Sequence, residues 1–253
     1  MNRREFFTAS ALLLTACASE DDYTRIVREV AKEEYEKLQM HRKIREIESI
    51  KKIVDSMVLL NTTTRYKIPS KDDLEHELIS PAIGVVYKDF LLTVDHAVSV
   101  YTIKEQSDTK VKEIKIDKHK EITTTSSGVP LETIVRDKEN DIAVFRVPYN
   151  YDGRRYPFEL GDSDKTEVGQ EVLFIGNPNV LGFSVREGII ASKVFIHSHV
   201  KHPGFYVSIT PVPGDSGGLV VDRNTFSLLG LNSKTITGQG YMVPINLFKP
   251  YLK

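Results

Sequence analysis

One cysteine, Cys17, and no tryptophan occur among the 253 residues. A lone thiol excludes an internal disulfide; the missing tryptophan excludes nothing. Excess charge is absent too. The formal net charge is −1, so the chain exerts no general attraction on nucleic acid or acidic lipid, and no nucleic-acid partner is expected. Glycine and proline are missing from 18 to 68, so the strongest turn signals are missing there. No histidine follows position 202. What remains is 40% hydrophobic and 27% charged, ordinary for a globular protein and ample for a core.

The opening "MNRREFFTASALLLTACASE" sets Arg3 and Arg4 before an apolar run from Phe6 to Ala16, with small residues ahead of Cys17. The run is too short to span a membrane and has the layout of an export signal over 1–16. Leu14-Thr15-Ala16-Cys17 resembles the bacterial lipobox, which implies lipidation of Cys17 and anchoring to a membrane of the cell envelope. Asn2-Arg3-Arg4-Glu5-Phe6-Phe7 also resembles a twin-arginine export motif. Further on, charges of both signs interleave with Ile26, Val30, Met40, Ile44, Ile47, Val54 and Val58 at helical spacing. Glu33→Lys37 and Glu48→Lys52 are favourable pairs four apart. The expectation for 17–68 is a charged helical stalk. A helix packed on the domain that follows is the alternative.

After Pro69 the texture changes. Short runs rich in Val, Ile, Tyr, Phe and Thr, such as "AIGVVY", "FLLTV", "IAVFRV", "EVLFIG" and "YMVPI", alternate with turn residues. That rhythm predicts an all-β sandwich or pair of barrels. The polar stretch "NYDGRRYP" at 150–157 marks a hinge between two halves.

"PVPGDSGGLV" at 211–220 carries Ser216 in a glycine-rich turn. A serine hydroxyl is a poor nucleophile without a hydrogen-bonded base, so partners must be found elsewhere. Gly214-Asp215-Ser216-Gly217-Gly218 also fits the G-x-S-x-G elbow of α/β-hydrolases. In that fold a histidine follows the serine and a helix follows the turn. Here every histidine precedes Ser216 and the next residues are strand-like, so that reading fails on order. The order His, Asp, Ser remains. "LLTVDHAV" ends an apolar run at His96, and "ENDIAVFRV" places Asp141 at the mouth of another. His96 would take the Ser216 proton and return it to the leaving amine, while Asp141 would fix the imidazole tautomer.

These three blocks resemble the signatures of the chymotrypsin-like serine proteases. "GNPNVLGFSVREGIIAS" at 176–192 and "GLNSKTITGQGYMVPIN" at 230–246 are similar to segments of the HtrA/Deg branch. The resemblance covers about 80–247 and implies two packed β-barrels within a protease domain at 69–253, near 69–150 and 151–247. It implies an oxyanion hole from the amides of Gly214 and Ser216, and a substrate pocket walled by Thr210, Leu231, Asn232 and Ser233. It implies polypeptide substrates, unfolded or damaged envelope proteins among them, no cofactor, and the homotrimeric assembly often found in that branch. Departures stand beside it. Asp215 replaces the usual Asn, Asp95 replaces a small or amide residue before His96, and the chain ends at Lys253 without room for a peptide-binding PDZ module. In trypsin-type enzymes the Asp215 position can pair with a new N-terminus after cleavage. A lipid-tethered N-terminus cannot serve so, and Asp215 is expected to stabilise its own loop.

Thr210, six before the serine, is not acidic, so preference for Lys or Arg before the cleaved bond is not expected; small or medium apolar residues are. His197 and His199 would share a strand face, but no matching carboxylate or cysteine cluster accompanies them and no metal is expected. From a different class, the same fold could serve as a latent or non-proteolytic, chaperone-like binding protein.

Overall fold

A computed structural model describes residues 20–68, 71–99, 102–107, 110–194 and 203–253. Cys17, the export signal, and His197, His199 and His202 lie outside them. Two compact units divide the chain, Met1–Lys51 and Lys52–Lys253.

A helix, α1 (Glu20–Val54), of 35 residues, roughly 50 Å long, begins in the first unit and ends just past its boundary at Lys51. Its sides are charged, with exposed pairs such as Lys32–Glu36 at 4.0 Å and Lys37–Glu34 at 3.4 Å, each contributing only about 0.3–0.5 kcal/mol. Tyr35, Leu38, Met40 and Ile47 are exposed among them. No helix among the described residues is long and apolar enough to cross a membrane.

α1 stops where Ser56 turns back on Ile53, donating both its amide (2.9 Å) and its hydroxyl (2.6 Å) to the Ile53 carbonyl. The chain then enters β1 (Met57–Ile68) rather than continuing as stalk. The expected boundary at 68 is therefore corrected: 57–68 belongs to a sheet, paired with β2 (Lys71–Tyr87) and β6 (Asp117–Thr125). Leu60, Thr62, Thr64 and Tyr66 are buried in alternation, the period of a strand. A run of β-branched threonines favours it, and Ser56 makes the break that glycine or proline would otherwise announce.

The first sheet runs β6-β1-β2-β3-β8-β7, with β3 (Phe90–Thr93), β7 (Glu132–Asp137) and β8 (Ile142–Arg146). It curls into a barrel-like form until Thr124 of β6 bridges Pro130 at the approach to β7. β4 (Thr102–Ser107) and β5 (Lys110–Lys115) form a separate hairpin. The second sheet is a closed barrel of β9 (Glu171–Gly176), β10 (Ser184–Val194), β11 (Gly204–Val207), β12 (Leu219–Asp222), β13 (Leu228–Ile236) and β14 (Gln239–Pro244). Val172, Phe174, Phe205, Val220 and Met242 fill it, each worth about 1.5–3 kcal/mol of burial. The fold is all-β, two chymotrypsin-like barrels preceded by a charged helix. Tyr156 on the connection ties the halves: its amide donates to Val86 of β2 (2.6 Å) and its hydroxyl to Phe226 (2.5 Å). Burial pushes that phenol's pKa far up.

Candidate active site

β3 delivers His96. Immediately after it the chain closes a single 3₁₀ turn, Asp95–Ala97, with the Val98 amide on the Asp95 carbonyl at 3.1 Å. Asp95 faces inward, 1% exposed, and accepts from Arg136 Nε of β7 at 2.6 Å. The same guanidinium donates from Nη2 to the Val98 carbonyl (3.0 Å) and from Nη1 to Glu121 (3.3 Å). The turn bearing His96 is thus clamped from below while the imidazole stays exposed.

β8 is preceded by the turn that holds Asp141. Asp137 builds it, accepting the amides of Glu139 and Asn140 at 3.0 Å each, the side-chain turn typical of aspartate. Asp141 itself lies at φ 55°, a left-handed conformation that Asp tolerates better than most residues.

Ser216 sits in the loop between β11 and β12. Pro213 and Gly214 occupy the middle of a turn closed by the Asp215 amide on the Val212 carbonyl at 3.0 Å, and Gly214 has φ +94°. Pro first and a positive-φ glycine second define a type II turn. A Cβ on Gly214 would fall 2.3 Å from the Asn177 carbonyl oxygen. The Asn179 amide donates to the Pro213 carbonyl at 2.7 Å, which fixes the Pro213–Gly214 peptide plane. A trans peptide projects its N–H opposite its C=O, so the Gly214 amide faces away from the 177–180 loop. Among the described residues, neither the Gly214 nor the Ser216 amide has an internal acceptor.

The three side chains converge between the barrels. His96 Nε2 lies 2.9 Å from Ser216 Oγ. His96 Nδ1 lies 2.9 Å from Asp141 Oδ2 and 3.1 Å from Oδ1. The His96 amide also donates to Asp141 Oδ1 at 2.9 Å, and Ser233 Oγ of β13 donates to Oδ2 at 2.5 Å. Burial pushes the Asp141 carboxyl up, but the His96 hydrogen bonds and charge, with the Ser233 bond, outweigh it and hold the pKa below the ordinary carboxylate range. The group stays ionised beside the imidazole, fixing the tautomer that leaves Nε2 able to accept the serine proton.

Residues 83–231 match the family model of the trypsin-like peptidase domain. The chain belongs to that family. Among curated relatives, a serine protease HtrA-like of Staphylococcus haemolyticus is 32% identical over 184 residues, covering 64% of this chain and 26% of the relative. A probable periplasmic serine endoprotease DegP-like of Pseudomonas putida is 32% identical over 126 residues, 49% of this chain and 25% of the relative. The chain thus spans only about a quarter of those proteins. The solved HtrA-type protease AlgW with a decapeptide shares the fold at a TM-score of 0.58 and 21% identity, over 80% of this chain and 64% of that one.

Within this trypsin-like domain the expected pocket residues divide. Thr210 is exposed, its hydroxyl donating to the Gly238 carbonyl. Leu231 is wholly buried. Asn232 Nδ2 donates to the Asp215 carbonyl at 3.0 Å, and Ser233 is committed to Asp141, so these two side chains support the site from behind. Sequence reasoning missed the arginines. Arg136 could have been sought, because an acid before His96 on an apolar strand asks for a buried cation. Asp215, 0% exposed, likewise takes Arg186 Nη2 of β10 at 2.6 Å. Among the described residues no group of three or more His, Cys, Asp or Glu is placed to hold a metal ion.

Proposed function

We propose that the protein is a serine endopeptidase of the bacterial envelope, cleaving polypeptides through Ser216, His96 and Asp141 by way of an acyl-enzyme. Ser216 Oγ attacks the peptide carbonyl while His96 Nε2 takes its proton; the proton passes to the leaving amine, and water then releases the acyl group by the same route. The Gly214 and Ser216 amides receive the oxyanion, each worth roughly 3–4 kcal/mol in the transition state. The observation that carries the reading is the 2.9 Å contact between His96 Nε2 and Ser216 Oγ with Asp141 behind it.

The pocket takes small or medium apolar residues before the cleaved bond. Thr235 Oγ1 donates to the Pro211 carbonyl at 2.8 Å and Thr210 to Gly238, two cross-links that tie the 210–211 segment to β13 and the turn that follows it, and Thr210 brings no acid to the segment before Ser216. A peptide-library profile dominated by Lys, Arg or Glu would refute this preference. Unfolded exported proteins are the substrates in this reading, met by a homotrimer that lipid on Cys17 holds at the membrane. A single-chain mass by light scattering would count against the trimer, and undiminished fatty-acid labelling of Cys17→Ser against the anchor.

Labelling with a fluorophosphonate probe tests the activity. Ser216 Oγ attacks phosphorus and fluoride leaves, so wild type is expected to label and Ser216→Ala not to. Equal labelling of both, or of neither between pH 6 and 9, would end the proposal.

A further inference from the structure

Asp215 precedes the nucleophile and is wholly buried. A buried carboxylate without a cation is costly, and in this chain the cation is Arg186 of β10, with Nη2 at 2.6 Å from Oδ2. The same Oδ2 accepts the Val212 amide at 2.9 Å, and Val212 opens the turn that orients Gly214. The other oxygen, Oδ1, lies against Gly176, where a Cβ would come within 2.2 Å. Arg186 stacks on Phe174 at 4.5 Å and donates from Nη1 to the Thr210 carbonyl at 3.3 Å. One guanidinium therefore grips both ends of the 210–215 segment: the carbonyl where it begins and the carboxylate where it meets Ser216.

We infer that Arg186 is the positioning residue of this site, an internal cation that holds Asp215, and through it the Gly214 and Ser216 amides, in the arrangement that receives the oxyanion. In trypsin-type enzymes an N-terminus freed by cleavage can neutralise the corresponding acid. Here the cation is built into β10, so the turn is set without any cut in the chain. The inference rests on the proteolytic reading and adds a residue that touches neither substrate nor the reacting atoms.

The test is the rate of fluorophosphonate labelling and of casein cleavage by the full-length chain, with melting temperature measured alongside. Arg186→Met leaves Asp215 unpaired and should lower kcat by about 10²-fold, the scale of losing one oxyanion donor, with KM little changed. Arg186→Lys restores a cation and should recover most of that loss. The double variant Arg186→Met/Asp215→Asn removes both charges while Asn can still accept the Val212 amide. It should label within about tenfold of wild type, since replacing both members of a buried pair costs far less than removing one. Should Arg186→Met not fold, the lysine and double variants carry the comparison. Wild-type kinetics in Arg186→Met, or a double variant or Arg186→Lys that is folded yet about 10²-fold slow, would overturn the inference. Wild type failing to label at Ser216 would instead overturn the proteolytic reading, and the inference with it.

Discussion

Two turns carry the site, one from each barrel, and the same device underlies both. Asp95 precedes His96 and Asp215 precedes Ser216, with side chains 1% and 0% exposed. Each takes a guanidinium nitrogen at 2.6 Å, from Arg136 and Arg186. Each guanidinium lies over a phenylalanine, Phe145 at 6.0 Å and Phe174 at 4.5 Å. The difference lies in what else the arginine holds. Arg136 also reaches the Val98 carbonyl and Glu121, so its pair is one link in a network. Arg186 adds only the long contact to Thr210, and among the described residues its Nε has no partner. We expect the networked pair to act mainly on whether the fold forms, and the pair with few links mainly on where its turn points.

The largest effect expected is at the residue His96 leans on. Asp141→Asn keeps the shape but lets the imidazole adopt the wrong tautomer, and turnover should fall by about 10⁴-fold while binding of an unfolded substrate persists. Steady-state kinetics with casein would show it; a drop below tenfold would mean that the carboxylate only caps β8. Next comes the contrast between the arginines. Arg136→Met removes the guanidinium 2.6 Å from the buried Asp95 carboxylate and should cost about 3–5 kcal/mol of stability, read by denaturant unfolding, with the surviving folded fraction labelling nearly as fast as wild type. If its labelling fell as far as that of Arg186→Met without loss of stability, the contrast between the two turns would vanish.

Gly214→Ala addresses the Ser216 side alone. It forces a side chain into positive φ and against the Asn177 carbonyl, so the turn must rotate its peptide and lose one oxyanion donor. A fall of about 10²–10³ in kcat is expected, with melting shifted far less than by Arg136→Met. Unchanged kcat would remove Gly214 from the oxyanion hole.

How much of this was legible beforehand follows from distance along the chain. His96, Asp141 and Ser216 each sit in a contiguous block whose local pattern, strand then turn or turn then strand, is itself the signal. Their order and spacing single them out, and they lie within hydrogen-bond reach. The barrels were legible from short apolar runs. β1 was not, because a lack of glycine and proline reads as continuity although the threonine run at 62–64 already favours a strand. The arginines were illegible for another reason. Arg136 lies 41 residues from Asp95 and Arg186 lies 29 from Asp215, and only closure of each sheet brings them together. Ser233 was expected at the pocket wall and its bond to Asp141 was not foreseen, since a hydroxyl on a strand does not declare whether it faces substrate or carboxylate.

The smallest effect expected concerns pH, and it sharpens the His96 side. The Asp141 carboxyl is held below its ordinary value, while an unfolded chain returns it to about 3.9. A carboxyl depressed on folding contributes stability that is present above the unfolded value and lost as pH falls through the folded one. Asp141→Asn has no such group. The melting temperature of wild type minus that of Asp141→Asn should therefore be larger at pH 5 than at pH 3, because protonation of the unfolded carboxyl between those values already removes part of the stability that the folded carboxylate contributes. A difference that grew on acidification would mean that burial, not the bonds from His96 and Ser233, governs the group. The imidazole would then face a neutral acid, and the tautomer argument for Asp141 would fail with it.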